Sequence, residues 1–170
     1  MIPGHSRVSQ LEEQHALFSG VLSDQTLSFQ GRLIVVNSAR RSATSFTALP
    51  AIDDTRFVEL FTSGYTGAPG RIIKYITQLD REIELLAARF GERLNGCCVV
   101  ASVVPQHLYG LTFRIMLPMA LGLPLHAAML YYAEQLAALP QDKRYLFISS
   151  PAFLKRLDTQ LTPPPVAMLI

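Results

Sequence analysis

The fold of this chain is constrained most by one helical stretch that lies between two strand-like runs. Apolar residues recur in this stretch at spacings of three or four, which predicts an amphipathic helix with one buried face. We expect Thr77 to be its N-cap and Gly91 to end it. The run 71–76 on one side alternates well enough for a short strand, and the run 97–103 on the other side is typical of a buried strand. The apolar stripe of the helix consists of Leu79, Ile83, Leu86 and Phe90.

The same alternation of strands and helices continues through the chain. We expect Pro118 to kink one of these helices or to end it early. Alternation of this kind predicts an α/β fold with a mostly parallel sheet flanked by helices. Further strands are predicted at 33–36, 56–61, 123–126 and 145–148, and further helices at 10–18, 106–121, 132–139 and 151–157.

Composition indicates a single domain with much apolar surface to bury. The 170 residues are 49% hydrophobic and 16% charged, whereas charged residues average about 25% in soluble domains. Either the sheet is mostly internal, or part of the surface is covered by an oligomer or a partner chain. The net charge of +2, without any basic run, argues against nucleic acid as a partner.

The sequence predicts neither a membrane span nor a secretion signal. The most apolar stretch, 111–132, is interrupted by arginine, glycine, histidine and two prolines, so it lacks about 20 uninterrupted apolar residues. The first residues lack a basic start and an apolar core, and a cytoplasmic location is expected. Cys97 and Cys98 are adjacent, so in a strand their thiols point to opposite faces and stay unpaired. Without histidines at ligand spacing they make no zinc site.

The loop 61–69 carries the pattern with the most chemical content. Its two glycines permit positive φ and a close approach of the backbone to a ligand. Successive N–H groups in such a loop can form a concave nest for a phosphate, with hydroxyl groups as further donors. The loop is not a Walker A motif, which needs Gly-Lys-Ser/Thr, and an ordinary turn uses the same residue types. Its sequence is Phe61-Thr62-Ser63-Gly64-Tyr65-Thr66-Gly67-Ala68-Pro69.

This loop resembles the phosphate loop of the AMP-forming adenylating enzymes, whose signature is aromatic-Thr-Ser-Gly-Ser-Thr-Gly-x-Pro-Lys. The chain matches seven of the nine specified positions. It departs at Tyr65, where the family has a small hydroxyl residue, and at Gly70, where the family has lysine. Two downstream segments, 103–110 and 149–154, are similar to the family's H-x-x-G segment and to its next strand-to-helix step. The likeness covers roughly 57–157 and is strongest to bacterial acyl-CoA and acyl carrier protein synthetases.

The resemblance implies a carboxylate-activating ligase. ATP, with Mg²⁺, and a carboxylic acid would form an acyl-adenylate and pyrophosphate, and CoA or an acyl carrier protein would then receive the acyl group. Lys74, together with Arg71, would supply the cation that is missing at Gly70. The resemblance also places His107, Tyr109 and Gly110 in the acyl pocket, and it implies no catalytic or metal-ligating residue in this chain. The residues implied to bind the ATP phosphates in the loop are Thr62, Ser63, Gly64, Tyr65, Thr66 and Gly67.

Other interpretations of these polar candidates remain open. Lys74 and Arg71 are equally compatible with solvated charges. His107 has no carboxylate or cysteine nearby in sequence to orient it, which argues against a general base. A histidine that is hydrogen-bonded near a helix N-terminus is the simpler alternative.

The later motifs of the family are absent from these 170 residues. They are an aromatic-Gly-x-Thr-Glu segment for adenine and magnesium, a ribose-binding aspartate, a hinge and a C-terminal lysine. We therefore expect part of the N-terminal domain of such a ligase, inactive alone. It would comprise a partial N-terminal segment and linker at 1–55, an adenylation core at 56–160 and an irregular, truncated tail at 161–170. The alternatives are a non-catalytic nucleotide- or acyl-binding module and a structural subunit that a partner chain completes.

Overall fold

The chain divides into two compact units after residue 51. The computed structural model describes residues 16, 18–23, 25–36, 51–62 and 70–170. In the first unit, β1 (Gly20–Ser23) and β2 (Arg32–Val35) pair in parallel. β2 confirms the strand predicted at 33–36 to within one residue. The helix predicted at 10–18 lies almost entirely outside the described residues.

The second unit begins with an antiparallel hairpin. β3 (Phe57–Thr62) pairs with β4 (Gly70–Tyr75), and the register places Thr62 opposite Gly70. Both strands confirm the predictions at 56–61 and 71–76 to within one residue. One face of the hairpin is turned inward and buries Leu60. The opposite face is exposed and carries Phe57, Ile73 and Tyr75.

Four parallel strands form the central sheet of the second unit. Their spatial order is β6-β5-β7-β8, so the chain crosses over from β5 to β6, passes β5 to reach β7, and crosses over again to β8. The predicted strands at 97–103 and 145–148 are confirmed, and the one predicted at 123–126 begins two residues later than expected. The strands are β5 (Cys97–Ala101), β6 (Leu125–Met129), β7 (Arg144–Ile148) and β8 (Val166–Leu169).

β8 shows that the prediction of an irregular segment at 161–170 is wrong. The three prolines at 163–165 have no N–H to donate to a ladder, but the carbonyl of Pro165 accepts a hydrogen bond from Tyr145 N at 2.9 Å. The chain after Pro165 is apolar, and Ala167 and Met168 pack against the core. The prolines therefore delay the strand without preventing it.

The predicted helix with the apolar stripe is α1 (Ile76–Leu94), but its N-terminus differs from the prediction. Tyr75 is the N-cap in place of Thr77. The reason is that the side chain of Gln78 reaches back and accepts a hydrogen bond from Tyr75 N at 3.1 Å. This contact satisfies a backbone donor that the helix itself leaves free.

The predicted end of α1 at Gly91 is also wrong. The helix continues because its last residue, Leu94, is fully buried in the core. The chain turns instead at Gly96, whose φ of 72° lies in the left-handed region that glycine adopts without strain. Burial of the Leu94 side chain, which lies beyond Gly91, therefore overrides the local stop signal of this glycine.

The next helix, α2, runs from Leu108 to Leu121 with a π-helical middle at Leu111–Met116. Pro118 does not end it early, because the helix continues to Leu121. In the π-helical stretch Leu117 N bonds to Thr112 O, so the backbone is already wider than an α-helix just before the proline. Two short helices complete the unit: α3 (Ala133–Ala137) and α4 (Pro151–Leu154).

Helices cover both faces of the parallel sheet. α1 and α2 bury Ile83 and Leu117 against one face, together with Val99 and Ile148. α3 and α4 bury Leu136 and Phe153 against the other face, together with Val100 and Phe147. The fold is therefore α/β with a parallel sheet flanked by helices, as predicted. Cys97 packs on the first face and Cys98 on the second, and both are free thiols.

None of the helices within the described residues has the length and the apolar character needed to cross a membrane.

Candidate functional site

The topology of the sheet places a switch point between β5 and β7, where a crevice is expected. These strands are neighbours, with Ala101 opposite Ile148, but the chain leaves β5 toward α2 on one face and leaves β7 toward α4 on the other. Connections that depart in opposite directions separate the two loops beyond the carboxyl ends of the strands. Open parallel sheets bind their ligands at such a switch point.

Two serine hydroxyls meet at the floor of this crevice. Ser102 follows β5 and Ser149 follows β7, and their Oγ atoms are 2.9 Å apart. The two strands stay paired up to this point, because Ser102 N donates to Ile148 O at 2.9 Å. Ser149 is 5% exposed, and the neighbouring Ser150 caps α4 by accepting from Phe153 N.

Tyr109 spans the crevice from the α2 side to the β7 side. Its phenol donates to the carbonyl oxygen of Ser149 at 3.2 Å, and its ring packs on Phe113 with centroids 5.2 Å apart. Partial burial raises the pKa of Tyr109 above its ordinary value, so the phenol stays protonated and able to donate at neutral pH. This contact links the two downstream segments on which the resemblance depends.

Gly110 and His107 have different surroundings. Gly110 is buried, and a Cβ at this position would collide with the carbonyl of Val104. His107 is exposed at the N-cap position of α2, where its side chain makes no capping hydrogen bond. Its ring forms no hydrogen bond with any described residue, so the structure supports neither a bonded histidine near a helix N-terminus nor an oriented base.

The sequence does not indicate Arg114, which fixes the loop between β5 and α2. Arg114 is 6% exposed and donates to Val103 O at 2.8 Å and to Ala127 O at 3.0 Å. Its guanidinium forms no ion pair with a described carboxylate, and burial lowers the pKa of Arg114. Because its two partners belong to the β5–α2 loop and to β6, Arg114 holds one wall of the crevice in place.

The phosphate-loop candidates Ser63, Gly64, Tyr65, Thr66 and Gly67 lie outside the described residues. Thr62 is the last residue of β3, and its backbone pairs with that of Gly70. The two ends of the loop are therefore held next to each other by the hairpin.

The two cations near this loop are engaged with carboxylates. Lys74 Nζ lies 3.5 Å from Glu82 Oε2, and Arg71 Nη2 donates to Glu59 Oε2 at 3.0 Å. Lys74 is therefore placed against the second turn of α1. Both cations therefore have a carboxylate partner among the described residues.

No metal-binding group is found in the part of the chain that the structure describes: it contains no cluster of three or more histidine, cysteine, aspartate or glutamate residues. A separate surface cleft of about 150 Å³ lies beside α3 and α4. It combines two exposed tyrosines with charges of both signs, which gives no preference for an anionic or a cationic ligand. The cleft is lined by Tyr131, Tyr132, Ala133, Glu134, Phe153, Arg156 and Asp158.

Sequence reasoning missed the serine pair, although a signal for it exists. Ser102 and Ser149 each follow directly on a buried apolar strand, and polar residues at the carboxyl ends of parallel strands face the ligand-binding edge. A comparison with models of protein families found no match, and a comparison with curated proteins also found none. A functional assignment therefore depends on the residues and their geometry.

Proposed function

We propose that this chain belongs to a carboxylate-activating ligase and that residues 62–67 bind the phosphates of ATP. The observation that carries the proposal is the hairpin pairing of Thr62 with Gly70. A glycine- and hydroxyl-rich loop whose ends are fixed by a ladder loses less conformational entropy when it wraps a phosphate than a loop with free ends. Backbone N–H and hydroxyl donors that converge on one point are what a polyphosphate requires.

The crevice gives a second line of support. The segments 103–110 and 149–154 come together through the hydrogen bond between Tyr109 and Ser149. In the proposed enzyme the acyl part of the acid would enter this crevice, with His107, Tyr109 and Gly110 on its wall, and the carboxylate would stay outside it, next to ATP. The topology favours a ligand here independently of the resemblance.

The proposed reaction has two steps. A carboxylate oxygen attacks the α-phosphorus of ATP, and the bond to the β-phosphate oxygen breaks to release pyrophosphate. The thiol of CoA or of an acyl carrier protein then attacks the acyl carbon, AMP leaves, and the thiol loses its proton. Donors in the loop would stabilise the negative charge that gathers on pyrophosphate. No step is assigned to Mg²⁺, because the described residues offer it no ligand set, and the reaction is proposed to take place in the cytoplasm.

One observation favours a second candidate, a nucleotide- or acyl-binding module without turnover. The family lysine is absent at Gly70, and both nearby cations are held by carboxylates. The loop donors can bind the phosphates of ATP, whereas adenylate formation also needs positive charge where the transition state is most negative.

Calorimetric titration with ATP tests the proposal. We expect ATP to bind, and we expect Ser63→Ala to weaken binding about fivefold, the scale of one hydrogen bond of about 1 kcal/mol. Thr77→Ala removes an exposed hydroxyl on α1 and is the matched control, with unchanged affinity expected. Absence of ATP binding to the unmodified chain would overturn the assignment. Exchange of pyrophosphate into ATP with a panel of fatty and aryl acids separates the two candidates, since the module alone would bind without exchange.

A further inference from the structure

The hydrogen bonds of the β5–β7 crevice define the chemistry of a group that would enter it. Ser102 and Ser149 contribute two hydroxyl hydrogens, and their mutual bond uses one of them. The other hydrogen has no acceptor among the described residues. The pair therefore presents one free donor at a position where Ser149 is 5% exposed.

Tyr109 covers the Ser149 carbonyl oxygen beside this serine pair. Its phenol is the partner of the Ser149 carbonyl within the described part of the chain, at 3.2 Å, and Tyr109 is 37% exposed. A neutral hydrogen bond at this distance contributes little net stability, because water can replace it. Rotation of the phenol toward solvent exchanges this bond for one to water and gives up packing on Phe113. It leaves the Ser149 carbonyl without a partner, so it is favoured only when a ligand supplies a donor in its place.

We propose that this crevice is a binding site for an uncharged group that both donates and accepts a hydrogen bond, and that Tyr109 is the side chain that covers it. The ligand donates to the Ser149 carbonyl that Tyr109 vacates and accepts from the free serine hydroxyl. An amide or an alcohol satisfies both demands. A carboxylate or a fully ionised phosphate cannot donate, so it leaves the carbonyl unpaired.

The proposal does not depend on ATP binding or on adenylate formation. It uses only the switch point between β5 and β7 and the polar atoms found there. Gln106 lies in the adjoining loop, and its Oε1 is buried without a partner among the described residues. The Gln106 oxygen is therefore an acceptor without a partner in the loop between β5 and α2, in addition to the Ser149 carbonyl that Tyr109 would vacate. Buried acceptors of this kind favour a ligand with N–H or O–H groups.

Acetamide and acetate form a matched pair of probes. They have nearly the same shape, but acetamide is uncharged and can donate a hydrogen bond, whereas acetate is an anion and cannot. We expect acetamide to shift the backbone amide NMR signals of Ser102, Ser149 and Ser150 in a saturable titration, and acetate to shift them less at equal concentration. Tyr109→Phe removes the covering hydrogen bond and keeps the ring, so it is expected to tighten acetamide binding about threefold to fivefold. Replacing both Ser102 and Ser149 with alanine removes the free donor, whichever hydroxyl carries it, and is expected to weaken acetamide binding by a similar factor.

Tyr132→Phe is the control, because this tyrosine is 65% exposed and forms no hydrogen bond with the serine pair. Its acetamide affinity should equal that of the unmodified chain. Equal shifts with acetate and acetamide, no saturable shift with acetamide, or unchanged affinity in Tyr109→Phe would each overturn the proposal. Loss of ATP binding in the same preparation would leave it standing, since the two sites use different residues.

Discussion

At the scale of single residues, Gly110 sets the position of the crevice wall. The carbonyl of Val104 occupies the space where a Cβ would be, so the β5–α2 loop and the first turn of α2 touch backbone to backbone. The resemblance places Gly110 in a pocket, and the structure adds a steric reason for glycine there. Gly91, in contrast, would bring a Cβ only to 3.3 Å from Leu121 Cδ2, the far end of a flexible side chain.

The two glycines make a matched experiment. Gly110→Ala is expected to lower the free energy of unfolding by about 2 kcal/mol, because a close-packed backbone must move to admit the methyl group. Gly91→Ala is expected to be neutral or to raise stability by up to about 1 kcal/mol, since alanine is the better helix former. Urea denaturation monitored by circular dichroism measures both changes. Equal effects at the two positions would contradict the steric account of Gly110.

At the scale of elements, the boundaries of α1 depend on side chains that the local pattern does not reveal. The apolar stripe predicts the helix, but the cap depends on whether Gln78 reaches back to Tyr75 N. A second helix repeats the device, because Gln135 Oε1 accepts from Tyr132 N at 3.1 Å at the start of α3. In both cases a glutamine three residues after a tyrosine replaces the usual small polar cap.

The cap of α1 can be tested by removing its acceptor. Gln78→Ala is expected to lower the free energy of unfolding by about 1 kcal/mol, as for other lost caps. Gln78→Glu keeps the acceptor and places a negative charge near the helix N-terminus, so it should retain or increase stability. Thermal unfolding of both variants, with Thr77→Ala as a neighbour that forms no hydrogen bond, measures the effect. A destabilised Gln78→Glu would show that the hydrogen bond is not what matters.

The sequence was sufficient to predict most elements but not their ends or distortions. β3, β5 and β7 follow from short apolar runs and β4 from an alternating run, which are local patterns. The π-helical turn of α2 does not, because it depends on a bond between Leu117 N and Thr112 O that many apolar helices could form or omit. β8 was missed because the prolines before it dominate the local pattern, while its partner, β7, is supplied by a distant part of the chain.

At the scale of the whole molecule, the candidate site is a product of topology. Ser102 and Ser149 are 47 residues apart in sequence, and nothing between them fixes the order β6-β5-β7-β8. The polar residues His107 and Tyr109 could be singled out from the sequence, but their relation to Ser149 requires knowing that β7 lies beside β5. The buried role of Arg114 likewise depends on β6 lying on the other side of β5.

Burial of tyrosines in the second unit predicts how the stability of the molecule depends on pH. Burial is the main cause that raises the pKa of Tyr145, which is 2% exposed and donates to Pro140 O at 3.0 Å. A phenol whose pKa is higher in the folded state than in the unfolded chain contributes to the stability of the fold. The whole of this contribution is present below the ordinary tyrosine pKa of about 10. This contribution is lost as the pH rises through the higher, folded-state value, because the unfolded chain releases the proton first.

We therefore expect the free energy of unfolding to fall above about pH 10. Tyr145→Phe should be less stable by about 1 kcal/mol at neutral pH, because it loses a hydrogen bond, and should show a shallower decline at high pH. Urea denaturation across this range tests the expectation, with the exposed Tyr132→Phe as the control. Parallel decline in Tyr145→Phe and the unmodified chain would assign the effect to other groups.

The all-parallel sheet also has a kinetic consequence. A parallel pair cannot form as a hairpin, so each of its contacts must close a long loop before it gains any stabilisation. The β3–β4 hairpin and α1 make local contacts, which form early in folding because they close short loops. We expect these elements to lead refolding and the sheet to assemble afterwards. The two serines that face each other across β5 and β7 would then meet late, and the crevice would be among the last parts of the molecule to form.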